Sequence, residues 1–132
     1  MAWNLDTDRP IYTQIIEIIQ QRIISGYYPA GHRLPSVRDL AAEAGVNPNT
    51  MQRALSDLEQ SGLLLTHRTS GRMITEDRAL IHSLRHTIAS KQIQSCIHML
   101  EHLGYTGEEI SDLFTEYMAA SHDLPAITEQ EA

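Results

Sequence analysis

Between Leu34 and Gly62 two short helical patterns meet at a tight turn, and the second opens with Asn47-Pro48-Asn49-Thr50. Ser36 can cap the first helix, whose inward residues are Val37, Leu40 and Ala41, and Gly45 supplies the positive φ that a sharp exit requires. Asn47 can cap the second helix, and Pro48 then takes its first position, where no N–H is missed. Val46, Met51, Leu55 and Leu58 form the second helix's inward stripe. This is the layout of a helix-turn-helix, a unit whose second helix lies in the DNA major groove with its N-terminal residues at base edges.

The flanking sequence extends the unit in both directions. Pro10 fits the first turn of an opening helix that runs to about Ser25, with Ile11, Ile15, Ile18, Ile19 and Ile23 inward and Gly26 closing it. Trp3 precedes that helix and either covers the domain, the preferred reading, or packs on a partner subunit. Tyr27, Tyr28 and Pro29-Ala30-Gly31 form the loop that feeds the turn unit. Leu63 to Thr66 and Arg72 to Thr75 read as two strands around Arg68-Thr69-Ser70-Gly71, a hairpin that acts as a wing. The expected fold class is therefore mainly α with one small β-hairpin: a winged helix-turn-helix over residues 1–75, then a short all-α segment.

A chain of 132 residues holds one core, or one small domain with a helical appendage, and is too short for a multi-domain enzyme. Cys96 is the single cysteine, so no internal disulfide forms and a reducing compartment is expected. With no charged-then-apolar leader and no apolar run near the ~18 residues that cross a bilayer, the expected location is the cytoplasm, away from membranes. The net charge of −7 is unevenly placed. Residues 1–75 hold seven arginines against seven acids, so all the excess negative charge lies in residues 76–132. Long-range attraction to phosphate is then modest, and binding rests on local arginine placement and on having two copies.

From Arg78 to Leu103 there is no Pro or Gly, which implies helix, yet the apolar face moves. Leu80, Ile81, Leu84 and Ile88 share one side, while Ile93, Ile97, Leu100 and Leu103 lie roughly 140° away at ~100° per residue. Either the helix breaks or bends near Ser90 to Gln92, or its two halves meet different partners. Gly104 ends the segment, and Thr106 with Glu109 forms a capping box for a last helix with the stripe Ile110, Leu113, Phe114, Tyr117 and Met118. So few residues expose too much of what they would bury alone. Residues 76–122 are accordingly expected to join two subunits, through Leu84, Ile88, Ile93, Ile97, Leu100, Ile110, Leu113, Phe114 and Tyr117, in preference to folding back on the winged domain. Residues 123–132 read as a frayed tail. His82 with His86 and His98 with His102 have the spacing of metal-binding pairs, but on one straight helix the pairs point to nearly opposite sides. No metal site and no cofactor is therefore assigned. A metal-responsive regulator using these pairs stays as an alternative.

The ordered set Pro10-Ile11-Tyr12, Gln14, Ile15, Gly26, Pro29, Gly31, Leu34-Pro35-Ser36, Arg38, Leu40, Ala41, Val46 to Thr50, Arg53-Ala54, Leu58-Glu59 and Gly62-Leu63 resembles the DNA-binding domain of the GntR family of bacterial transcription regulators. With only a short helical tail after it, the chain is similar to that family's short YtrA-type branch. The resemblance implies a homodimeric regulator without enzyme activity. It would most often be a repressor on a palindromic operator with GT and AC at its outer ends, commonly controlling its own operon with ABC transporter genes. Arg38 matches the family's arginine-to-guanine contact. Ser36, Asn47, Asn49 and Thr50 would meet phosphates or base edges, Gln52 could read adenine, and Arg53 would reach phosphate or pair with Asp57. At the wing, Arg68 and Arg72 bracket Ser70 and Gly71 and suit a narrow minor groove. Two departures stand out: Thr69 replaces the first glycine of the usual Gly-x-Gly tip, and Pro48 and Gln52 occupy positions where some branches carry arginine. No small-molecule effector can be named, and a dimeric adaptor that has lost DNA binding is the remaining alternative.

Overall fold

The computed structural model describes residues 3–121. The elements follow the order α1 (Ile11–Ile24), α2 (Val37–Ala44), α3 (Pro48–Gln60), β1 (Leu64–His67), β2 (Gly71–Ile74), α4 (Arg78–His102) and α5 (Gly107–Ala120). They form two compact units, Met1–Thr87 and Ile88–Ala132.

The first unit has a single apolar core. Ile15, Ile19 and Ile23 of α1, Leu40, Ala41 and Ala44 of α2, and Met51, Ala54, Leu55 and Leu58 of α3 are all buried in it. α1 and α2 both pack on α3. The spacing of these residues is that of one helical face, so α3 is held by its inner stripe while Asn49, Gln52 and Arg53 stay exposed. Leu63, Leu64 and Ile74 seal the core from the hairpin side.

Two features of this core were not expected from the sequence. Gln14, a polar residue within an isoleucine-rich helix, is buried. Its amide accepts from Asp6 N–H at 2.7 Å and donates to the carbonyls of Asp6 at 2.8 Å and Arg9 at 3.1 Å, clamping the chain that leads into α1. The second feature is a third strand-like segment. The N–H of Leu34 donates to Arg72 O at 2.9 Å and that of Ile74 to His32 O at 2.8 Å, so His32 to Leu34 lies antiparallel against β2 with Arg33 facing Met73.

Trp3 covers the domain. It is 8% exposed within the core cluster, and its indole Nε1–H donates to Glu43 Oε2 at 2.7 Å. Arg22 donates to the same carboxylate oxygen at 3.0 Å and to the Tyr28 hydroxyl at 2.8 Å, with its guanidinium carbon 4.7 Å from the centre of the Trp3 ring. The leading segment, α1 and α2 are thereby tied by one ionic and aromatic knot. Burial acts to raise the pKa of Glu43, but the hydrogen bonds from Trp3 and Arg22, with the Arg22 charge, outweigh it and hold the carboxyl below its ordinary value.

α4 begins in the first unit and ends in the second. Asp77 caps it by accepting from Leu80 N–H at 3.0 Å, and Leu80, Ile81 and Leu84 pack against the first core. The helix continues through Ser90 to Gln92 without interruption, so no break occurs there. Its shifted apolar face instead serves two different environments, and Leu84, expected to pair subunits, lies against the core of its own first unit. In the second unit, Gly104 turns the chain with φ +96° and Thr106 and Glu109 form the expected reciprocal box at 3.2 and 2.9 Å. Ile110 is buried and Ile97, Leu100 and Leu113 are half-buried. Ile93, Met99, Leu103, Phe114, Tyr117 and Met118 remain exposed. The tail expected to fray, residues 123–132, lies outside the described residues.

Because Trp3 is a buried aromatic with a polar anchor, Trp3→Ala is expected to destabilise the protein by about 3 kcal/mol, read from urea denaturation. The knot also has a pH signature. A carboxylate whose pKa is depressed by folding contributes stability above its unfolded value, near ~4.3, and loses it as pH falls through the folded value. The stability gap between the native protein and Glu43→Gln should therefore be constant near neutrality and close below about pH 4. A gap that widens on acidification would show that Glu43 is not held as an anion.

Candidate nucleic-acid interface

The amino end of α3 is built by local backbone chemistry. Asn47 adopts extended backbone, its side-chain oxygen accepts from Asn49 N–H at 2.7 Å, and Pro48 follows in the first turn. Ser36 caps α2 in the same way, accepting from Asp39 N–H at 3.1 Å, and Gly45 closes that helix at φ +73°. Asn47, Pro48 and Asn49 are exposed and Thr50 is half-buried. Ser36 and Asn47 thus have structural duties that also leave their outer faces in solvent. Gln52 is exposed and holds Ser56 Oγ loosely at 3.3 Å, a bond easily exchanged for a base edge.

The seven arginines of residues 1–75 divide into two groups. Arg9 pairs with Glu17 at 3.0 Å and Arg22 with Glu43. Arg72, expected at the wing tip, is instead ion-paired with Glu59 of α3 and is partly buried. Burial acts to raise the pKa of Glu59, but the Arg72 hydrogen bond and charge, with a bond from Thr66, pull it below its ordinary value. Arg72 therefore fastens the hairpin to α3. Arg53 forms no ion pair with Asp57; its guanidinium carbon stacks 3.8 Å from the centre of the Tyr12 ring. This contact leaves no local signal in the sequence, because Tyr12 lies 41 residues from Arg53.

Arg33, Arg38 and Arg68 form no ion pair or hydrogen bond with any described residue, and all three are exposed. Arg38 has neither of the carboxylate partners available to it: Asp39 is unpaired with it, and Glu43 is taken by Arg22 and Trp3. It stands on α2, while Arg68 stands in the turn between β1 and β2. The hairpin pairs Leu64 with Ile74 through His67 with Gly71, one residue displaced from the expected strands, with Gly71 at φ +77°. Ser70 is half-buried at its tip. Exposed polar side chains on a helix end, one free arginine on the preceding helix and another on a hairpin match the chemistry of duplex recognition: base edges, phosphates and a groove.

The histidines make a poorer site. His98 and His102 stack edge to face with ring centres 4.5 Å apart, and His102 Nδ1 lies 2.9 Å from His98 O. Among the described residues no group of three or more His, Cys, Asp or Glu could hold a metal. No described helix is long and apolar enough to cross a membrane.

Comparison with known proteins agrees with this geometry. Residues 11–74 match the family described as bacterial regulatory proteins, gntR family. The chain is 34% identical over 116 residues to the uncharacterized HTH-type transcriptional regulator YhcF of Bacillus subtilis (strain 168), covering 86% of this chain and 96% of that protein. It is 32% identical over 111 residues to the HTH-type transcriptional repressor YtrA of the same organism, covering 83% and 85%. A solved GntR family transcriptional regulator from Listeria monocytogenes superposes with a TM-score of 0.79 at 38% identity, over 85% of this chain and 98% of that one. A winged unit of this construction, matched along nearly the whole chain by such regulators, makes this protein a DNA-binding transcription regulator of the GntR family.

Proposed function

We propose that the protein acts as a homodimeric repressor in the cytoplasm, occupying a palindromic operator upstream of its own gene and controlling that operon. Arg38 carries the reading. It is a cation left without an acid partner, on the helix joined by the Gly45 turn to the exposed amino end of α3. In this proposal Arg38 makes a bidentate contact to guanine, Asn49, Thr50 and Gln52 meet base edges, and Ser36 and Asn47 meet phosphate. Arg68, Ser70 and Gly71 place the wing against the neighbouring groove. Arg53 and Arg72 support the reading helix and the wing, and reach DNA only secondarily.

The second unit supplies the pairing surface. A two-helix unit with Ile93, Met99, Leu103, Phe114, Tyr117 and Met118 exposed has more apolar surface open than a stable monomer of this size retains. A groove of about 590 Å³, lined by Ile97, Ile110, Phe114 and Met118 among others, lies between α4 and α5 and would accept side chains of a second copy. Ile88, Ile93, Ile97, Leu100, Leu113, Phe114 and Tyr117 form the proposed dimer face. Two copies on a two-fold axis would set their reading helices about one turn, ~34 Å, apart on the duplex. The repressor relative YtrA supports the sign of regulation by analogy.

Arg38→Ala should weaken binding to the footprinted operator by about 1 to 3 kcal/mol per half-site, with much less loss on random DNA and no change in association state. Equal losses on both DNAs, measured by gel shift, would remove Arg38 from base recognition. Phe114→Asp should give a monomer by analytical ultracentrifugation and lower operator affinity by about 10²-fold or more, because the second half-site no longer adds its avidity. A native protein that sediments as a monomer at micromolar concentration and leaves no symmetric footprint upstream of its gene overturns the proposal.

A further inference from the structure

We propose that Arg33 is a DNA-contacting residue of the wing, reaching the minor groove beside the hairpin in the place that Arg72 leaves empty. The inference rests on the DNA-binding reading above and adds a residue to it. Three observations converge. Arg33 is held by backbone in the sheet: it faces Met73 across an antiparallel bridge, flanked by the bonds from Leu34 N–H to Arg72 O and from Ile74 N–H to His32 O. Its side chain then runs diagonally along β2 toward the tip. Nε and Nη2 both lie 3.9 Å from where a β-carbon on Gly71 would stand. Finally, the guanidinium is exposed and has no ion pair or hydrogen bond among the described residues, whereas Arg72 is fixed to Glu59.

The physical consequence is a wing with its cations rearranged. Thr69 adds bulk at the position where the family's hairpin carries its first glycine, and Arg72 is turned inward onto α3. Arg33 comes from outside the hairpin yet lies alongside Gly71, the tip residue that has no side chain. With Arg68 it gives the wing two free guanidinium groups. A guanidinium is favoured over an ammonium in a narrow A·T-rich minor groove, where it is more easily desolvated and the potential is most negative. The contact would therefore read groove width at positions outside the bases met by α3.

The test compares the full-length protein with Arg33→Ala, Arg33→Lys and Arg72→Ala on two duplexes. Both carry the footprinted operator from upstream of the gene, and they differ only in A·T-rich or G·C-rich flanks under the wings. Unchanged thermal unfolding is expected for Arg33→Ala, since the side chain bonds to nothing within the chain. Arg33→Ala should lose roughly tenfold or more on the A·T-flanked duplex and under about threefold on the other, erasing the flank preference. Arg33→Lys should recover total affinity without recovering that preference. Arg72→Ala, by contrast, should reduce thermal stability, since it releases the hairpin from Glu59 of α3. Binding by Arg33→Ala within twofold of the native protein on both duplexes overturns the inference. Equal losses on both duplexes also overturn it, since they indicate a backbone contact without groove reading. Failure of the native protein to bind either duplex would count against the DNA-binding reading as a whole, an outcome distinct from failure of the Arg33 variant alone.

Discussion

The burial of α3's inner stripe fixes everything that the reading surface can do. Met51, Ala54, Leu55 and Leu58 occupy one face of that helix and sit in a common core with Ile15, Ile19 and Ile23 of α1 and Leu40 of α2. Rotating α3 by one residue, ~100°, would expose these groups and bury Gln52 or Arg53, at a cost of several kcal/mol in lost apolar burial and unpaired polar atoms. The outer face is thus specified by the inner one. Asn49 and Gln52 lie outside the inner stripe, so substitution there leaves the core packing intact.

Ionic contacts refine that arrangement without creating it. Glu59 takes Arg72 and draws the hairpin onto α3, while Glu43 gathers Trp3 and Arg22 onto α2. Both acids are partly exposed, so each pair contributes modestly to stability. Their larger effect is on geometry. By occupying Arg22 and Arg72, with Tyr12 occupying Arg53, they decide which arginines of a charge-neutral unit remain available to an anion.

Much of this was legible in the sequence, and the reasons divide cleanly. Ser36, Gly45, Asn47 and Pro48 act within a few residues of themselves, so their caps and turn could be read directly. The same holds for Thr106 and Glu109. The isoleucine stripe of α1 and the stripe of α3 follow from period alone. What could not be read depends on distant partners: Gln14 against the carbonyls of the leading segment, Arg53 on Tyr12, Arg72 on Glu59, and His32 to Leu34 joining the hairpin. Gln14 had a faint signal, as a polar residue at a core position. The moving apolar face of α4 was visible, yet the choice between a broken helix and one helix serving two units needed the structure.

The charge distribution gives this arrangement a functional meaning. A winged unit of zero net charge, followed by a segment carrying the whole −7, draws weakly on the general field of DNA. Its affinity for random sequence is expected to be correspondingly low, because such affinity comes almost wholly from phosphate neutralisation. In the proposed dimer, specific binding would be less affected, since it would depend on a few guanidinium groups at fixed positions and on the coupling of two half-sites. Reassigning arginines from acid partners to DNA would raise both kinds of binding together. With Arg22, Arg53 and Arg72 engaged within the protein, fewer guanidinium groups of this unit are open to phosphate, an arrangement that suits the proposed reading, in which discrimination matters more than raw affinity.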